Sequence, residues 1–207
     1  MATTSTPSKT LGTAAVSWAN GDLASAAQYI SAAIDVSGKF AIGFSIQLAR
    51  RTGTAFTAGW PNIRLEASAK SSGNDTWVPR FIYQPALGAT IVNTTLNGAV
   101  SAAATTFVVT SATNIAIGDY LYLGDSATAN YELVRVKAVS GTTITPEEAV
   151  TYAHANAAMV TDQAESIYVP VDCAGIARMR VVVDNANSGQ AMAAQVFYVL
   201  FDSISNV

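Results

Sequence analysis

The sequence predicts an all-β protein, a jelly-roll-like β-sandwich carrying a small β-rich inserted domain. Three observations point there. Apolar residues recur with a period of two in several segments. Turn signals separate those segments, and no long amphipathic helix appears anywhere in the 207 residues. The texture also changes at about Asn97 and returns to its first type at about Asp162.

Taken in order, residues 1–12 are rich in Ser and Thr, include Pro7, and read as a mobile arm. In "GDLASAAQYISAAIDVSG" Asp22 can cap a short helix reaching Gln28, and "YISAAIDV" alternates as a strand. "KFAIGFSIQLAR" is the clearest strand: Phe40, Ile42, Phe44, Ile46 and Leu48 fall on one face and are expected in the core. "NIRLEASA" follows with Ile63, Leu65, Ala67 and Ala69 on one side. "TWVPRFIY" contains Pro79, which cannot donate to a ladder, so an edge strand or bulge is expected. "ATIVNTTL" is a further strand.

Between 97 and 162 lie two short strands, Phe107–Thr110 and Tyr120–Leu123, then the hairpin "YELVRVKAVSGTTIT". There Glu132, Val134, Val136 and Ala138 share one face, and Leu133, Arg135 and Lys137 the other. Ser140-Gly141 makes the turn, where glycine accepts a positive φ. Thr145, Pro146 and the pair Glu147-Glu148 fit the cap and first turn of a helix, or a polar loop. After 162 come the strands "ESIYVPVD", "ARMRVVVDN" and "QAMAAQVFYVLFDSI", the last apolar on both faces and expected in the centre of a sheet. The domain expectation is therefore an arm at 1–12, a sandwich from 13–96 plus 163–207, and an insertion at 97–162.

Composition limits the functions open to the chain. Only 12% of residues are charged, about half the usual share, with small neutral residues in their place. Such a surface suits a protein packed against copies of itself or a partner. Eleven Lys and Arg at net charge −3 do not form a phosphate-neutralising cluster, so no nucleic acid is expected. The pairs Arg50-Arg51 and Arg178/Arg180 read as solvated. The lone Cys173 excludes an internal disulfide and reads as buried. "MATTSTPSKT" has no apolar run of a signal peptide, and "AMAAQVFYVLF" is too short to span a bilayer and contains Gln195, so no membrane is expected.

No constellation for chemistry emerges, so no catalytic, cofactor or metal residue is assigned. His154 is the only histidine, and no G-x-S-x-G elbow or phosphate loop accompanies it. Zinc needs more Cys and His ligands than one of each. Asp119 and Asp125, in "GDYLYLGD", read as turn residues rather than calcium ligands. Sequons at Asn74 and Asn93 carry no weight without a secretory signal. Trp18, Trp60 and Trp77 are candidates for a sugar platform, Trp60 beside a turn and Trp77 in a strand and so in the core.

The run "AIGDYLYLGD…YELVRVKAVSGTTITPEEAVTYAHANAAMV" (116–160) resembles a small β-module of tailed-bacteriophage structural proteins. The segments "SGKFAIGFSIQLARRTGTAFTAGWPNIRLEASA" and "ARMRVVVDNANSGQAMAAQV" are similar to the sandwich that bears it. The resemblance implies a non-enzymatic capsid decoration or cement protein, made in the host cytoplasm and ending in the virion. Its partners would be the major capsid protein or other virion proteins, and it would form a homo-oligomer, a trimer first. The alternatives are a neck, tail or fibre-base protein, or a module binding host-surface carbohydrate.

Overall fold

The computed structural model describes residues 9–12, 14–17, 23–25, 27–51, 61–73, 77–84, 91–125, 130–162, 164–186 and 188–202. The protein is all-β: the described residues contain no helix, and all strand pairs are antiparallel. The sandwich strands before the insertion are β1 (Lys9–Leu11), β2 (Gln28–Ile30), β3 (Ile34–Asp35), β4 (Lys39–Arg50), β5 (Asn62–Ser68) and β6 (Val78–Tyr83). The insertion supplies β7 (Asn93–Thr95), β8 (Phe107–Val108), β9 (Tyr120–Asp125), β10 (Asn130–Ser140), β11 (Thr143–Pro146) and β12 (Met159–Thr161). The sandwich then resumes with β13 (Ala164–Asp172), β14 (Arg178–Asp184) and β15 (Met192–Asp202).

One sheet runs β1-β15-β4-β13 and the other β2-β14-β5-β6, with β3 collinear with β2 on the edge of β14. Counting β2 and β3 as one strand and leaving out the insertion, the orders are first-eighth-third-sixth and second-seventh-fourth-fifth. That is the double Greek key of a jelly roll. The inner faces meet in one apolar core built from Ile42, Phe44, Ile46, Leu65, Val181 and Val196 among others. β6 is an edge strand, as Pro79 requires.

The inserted strands form one sheet, β7-β12-β9-β10-β11-β8. Its two ends meet: Leu96 bridges Val109, and Asn97 and Thr110 donate to Val108 and Thr95 at 2.8 Å each. The sheet thereby closes into a small barrel with its own core, centred on Leu96, Val109, Leu121, Val136 and Ile144. A bulge between Val136 and Ala138 bends β10 enough to pair with both β9 and β11. Gly141, at φ 60°, turns β10 into β11.

Several expectations change. Residues 9–11 are not part of an arm, because they pair with Phe201, Leu200 and Val199 of β15; residues 1–8 lie outside the described residues. Asn93–Thr95 does not belong to the sandwich. It pairs with β12, and Val92 and Leu96 pack in the barrel core, so the barrel begins at about 92. Thr143–Pro146 is a strand followed by a bend, not a helix start, because pairing with β10 claims its backbone. Gln28 lies in β2, while Asp22 lies outside the described residues. Phe40 is 68% exposed, since β4 runs past the end of the core there. β15 is central in its sheet, yet its outer face is buried only where the barrel covers Ala193; further along, Phe197 is exposed.

Candidate functional site

The groups that could do chemistry gather on the barrel and at its seat. Glu132 lies on β10 between two outward residues, and its side chain is buried with Val134 and Val136. A buried carboxylate demands partners. It has three: the backbone N–H of Thr151 at 2.7 Å, that of Tyr152 at 3.1 Å, and His154 Nε2 at 2.7 Å. Burial alone pushes the Glu132 carboxyl up, but the His154 hydrogen bond and the two N–H groups outweigh it and hold the group below its ordinary value. His154 is itself buried, and its backbone exchanges two 2.9 Å hydrogen bonds with Val100. The bond to the carboxylate places a proton on Nε2. Nδ1 is buried without a partner.

The outward side of the same hairpin is different. Arg135 and Lys137 are exposed, and Arg135 Nη1 reaches both oxygens of Glu147, at 2.9 and 3.1 Å, beside the Tyr120 ring. A cleft of about 230 Å³ opens between this hairpin and the segment 147–151, with Glu148 at its rim. Asp119 closes its turn by accepting the Ala116 N–H at 2.7 Å, next to Gly118 at φ 93°. The side chain of Asp125 lies outside the described residues, as do Trp18, Trp60 and Asn74. Asn93 opens β7 and is exposed. The described residues contain no group of three or more His, Cys, Asp and Glu placed to hold a metal.

The seat of the barrel rests on a residue whose role the sequence does not show. Arg50, expected in solvent, is completely buried at the end of β4. Its Nη2 donates to the Val92 carbonyl at 2.6 Å and to Asp162 Oδ1 at 3.3 Å, and its own carbonyl accepts the Thr161 hydroxyl at 2.9 Å. Val92 and Asp162 are where the chain enters and leaves the barrel, so one guanidinium holds both crossings. Burial pushes the Asp162 carboxyl up, beyond what the Val92 N–H and Arg50 pull it down. Burial likewise lowers the Arg50 guanidinium. Around this pair, Ala49, Ala164 and Ala193 form a small-residue row on the outer face of the β4 sheet. Tyr122, Tyr131, Leu133 and Met159 of the barrel cover it. Arg51 stacks over Tyr131, 4.8 Å from the ring centroid. No local pattern could have revealed Arg50, because its partners lie 42 and 112 residues away.

Arg178 and Arg180 are not simply solvated. They stack over Trp77 at 5.3 and 4.4 Å, and Arg180 pairs with Glu66 at 2.7 Å. Arg64 links Glu66 to Asp184 at 3.3 and 3.1 Å. Trp77 therefore lies half-buried under guanidinium groups on the outer face of the β5 sheet, not in the core. Cys173 is buried, and burial pushes its thiol up. No helix among the described residues is long and apolar enough to cross a membrane.

Comparison with known proteins adds no name to this geometry: no family model matches the chain, and no curated protein matches it.

Proposed function

We propose that this chain is a non-enzymatic structural protein of a phage virion, a capsid decoration or cement protein that stabilises junctions between capsid subunits. One observation carries the reading: the side chains with the greatest chemical potential are committed to holding the fold. Glu132 receives three hydrogen bonds from the segment it pins, and Arg50 with Asp162 fastens the barrel to the sandwich. Buried carboxylates that are satisfied in this way rigidify a structure. Low charge, and a sandwich bearing a second rigid unit, suit a protein that lives in an assembly. The resemblance of residues 116–160 to a virion module points the same way.

The test is to purify virions and locate the chain by quantitative mass spectrometry and electron microscopy. Many copies spread over the capsid surface are expected. A few copies at the neck or tail would move the protein there, and absence from the particle would end the virion reading. A parallel assay of peptidoglycan and polysaccharide breakdown should show no turnover that depends on His154. Activity lost in His154→Ala would make the protein an enzyme.

A further inference from the structure

The two outer faces of the sandwich differ in kind. On the β5 sheet, Arg64, Glu66, Arg180 and Asp184 form a ladder of ion pairs. On the β4 sheet, four consecutive cross-strand rows carry no charged side chain. The row through Ala49 is covered by the barrel, and the row through Gln47 is polar and neutral. The row through Ser45 sets Tyr168 and Phe197 on either side, and the row through Gly43 holds Pro170, Val199 and Leu11. Leu11 is 78% exposed, Tyr168 58% and Phe197 42%. The phenol of Tyr168 reaches over Gly43, where a Cβ would collide with it, so the glycine gives the ring its place on this face.

We infer that this uncharged face is a docking surface for a different protein that presents a flat, uncharged, apolar surface of its own. Three observations select that occupant. An apolar patch without charge repels a charged partner, which would lose its hydration and find no counter-charge. The face is continuous with an interface already formed, since its Ala49 row is covered by Tyr122, Tyr131 and Leu133 of the barrel, uncharged side chains on small residues. The uncovered part measures about three strands by three rows, on the order of 300 Å². That is less than half of the roughly 800 Å² per partner in a stable complex. Two free copies would not stay together through it. A larger partner that also meets neighbouring surfaces, or engages many copies at once, would hold. The inference rests on the assembly role proposed above and names its contact face.

The experiment places a photo-crosslinking benzophenone amino acid at Phe197, and in a separate sample at Ile82 on the charged face, in infected cells. Leu11→Lys and Tyr168→Lys are made alongside. Both side chains are exposed, so thermal unfolding should match the wild type. Expected is a crosslink from position 197 to one other protein, identified by mass spectrometry, with none from position 82. The Lys variants should co-purify with that protein at least tenfold less. If the crosslinked protein is a virion component, the proposed function stands as well. If it is not, the docking face stands and the virion role falls. Crosslinks from 197 only to further copies of this chain would overturn the inference. So would unchanged co-purification of the folded Lys variants, or crosslinking from 82 alone.

Discussion

Glu132 carries a negative charge into the barrel wall, and the segment 151–154 is held by it. Replacing it by Ala leaves two backbone N–H groups and the His154 ring without an acceptor, so a loss of roughly 1–3 kcal/mol is expected in denaturant unfolding. The pH dependence has a defined sign. The folded carboxyl titrates below its ordinary value, so the unfolded chain takes up the proton first. The stabilisation is complete above the ordinary glutamate value and is lost as pH falls through the lower, folded one. Unfolding curves from neutral pH into acid should steepen there for the wild type, and the step should be missing in Glu132→Gln. The sequence shows that Glu132 shares a face with Val134 and Val136, which is enough to mark it as buried. It does not show His154 as the partner, because the loop that returns it to β10 has no periodicity to read.

Strand β4 puts the period-two pattern to a quantitative test. Phe44 and Phe40 have the same parity, but Phe44 is fully buried and Phe40 lies past the end of the core. Phe44→Ala should cost about 3–5 kcal/mol in denaturant melts. Phe40→Ala should stay within about 0.5 kcal/mol. Equal losses would mean that the core extends to the end of the strand. Most strands were legible because half-buried antiparallel strands alternate, and the Ser140-Gly141 turn was legible from its chemistry. Two features were not. Whether Asn93–Thr95 joins the sandwich or the barrel depends on its pairing with β12, which local pattern does not encode. The closure of the barrel depends on Leu96 meeting Val109, a contact between opposite edges of one sheet.

For the whole molecule, the buried Arg50 couples two cores that also meet through the tyrosines packed around Ala49. Arg50→Met should cost about 1–3 kcal/mol, because Asp162 loses its counter-charge and the Val92 carbonyl its donor. Arg50→Met combined with Asp162→Leu should recover part of that loss, since the half-buried carboxylate is then gone. Calorimetry is the measurement. One transition is expected for the wild type, and separate melting of barrel and sandwich for the single variant. A single variant that melts like the wild type would show that the tyrosine contacts around Ala49 carry the coupling alone. The double Greek key follows from strand pairing across more than a hundred residues, as between Lys9 and Phe201. A jelly-roll sandwich with an inserted unit could be expected from the run of strands, but not how the unit is fastened.

The chain leaves the sandwich and returns to it at two points close enough for one guanidinium to bind both. To the jelly roll, the whole barrel is therefore equivalent to a tight turn. The socket is generic: any folded unit whose two ends lie about one strand spacing apart can be grafted between Val92 and Asp162 without stretching the scaffold. Arg50 is then a scaffold residue to be matched, because a graft lacking an acid at its exit would strand that charge, and the row through Ala49 needs a new apolar cover. The same architecture can thus exchange what it displays while its opposite end stays unaltered.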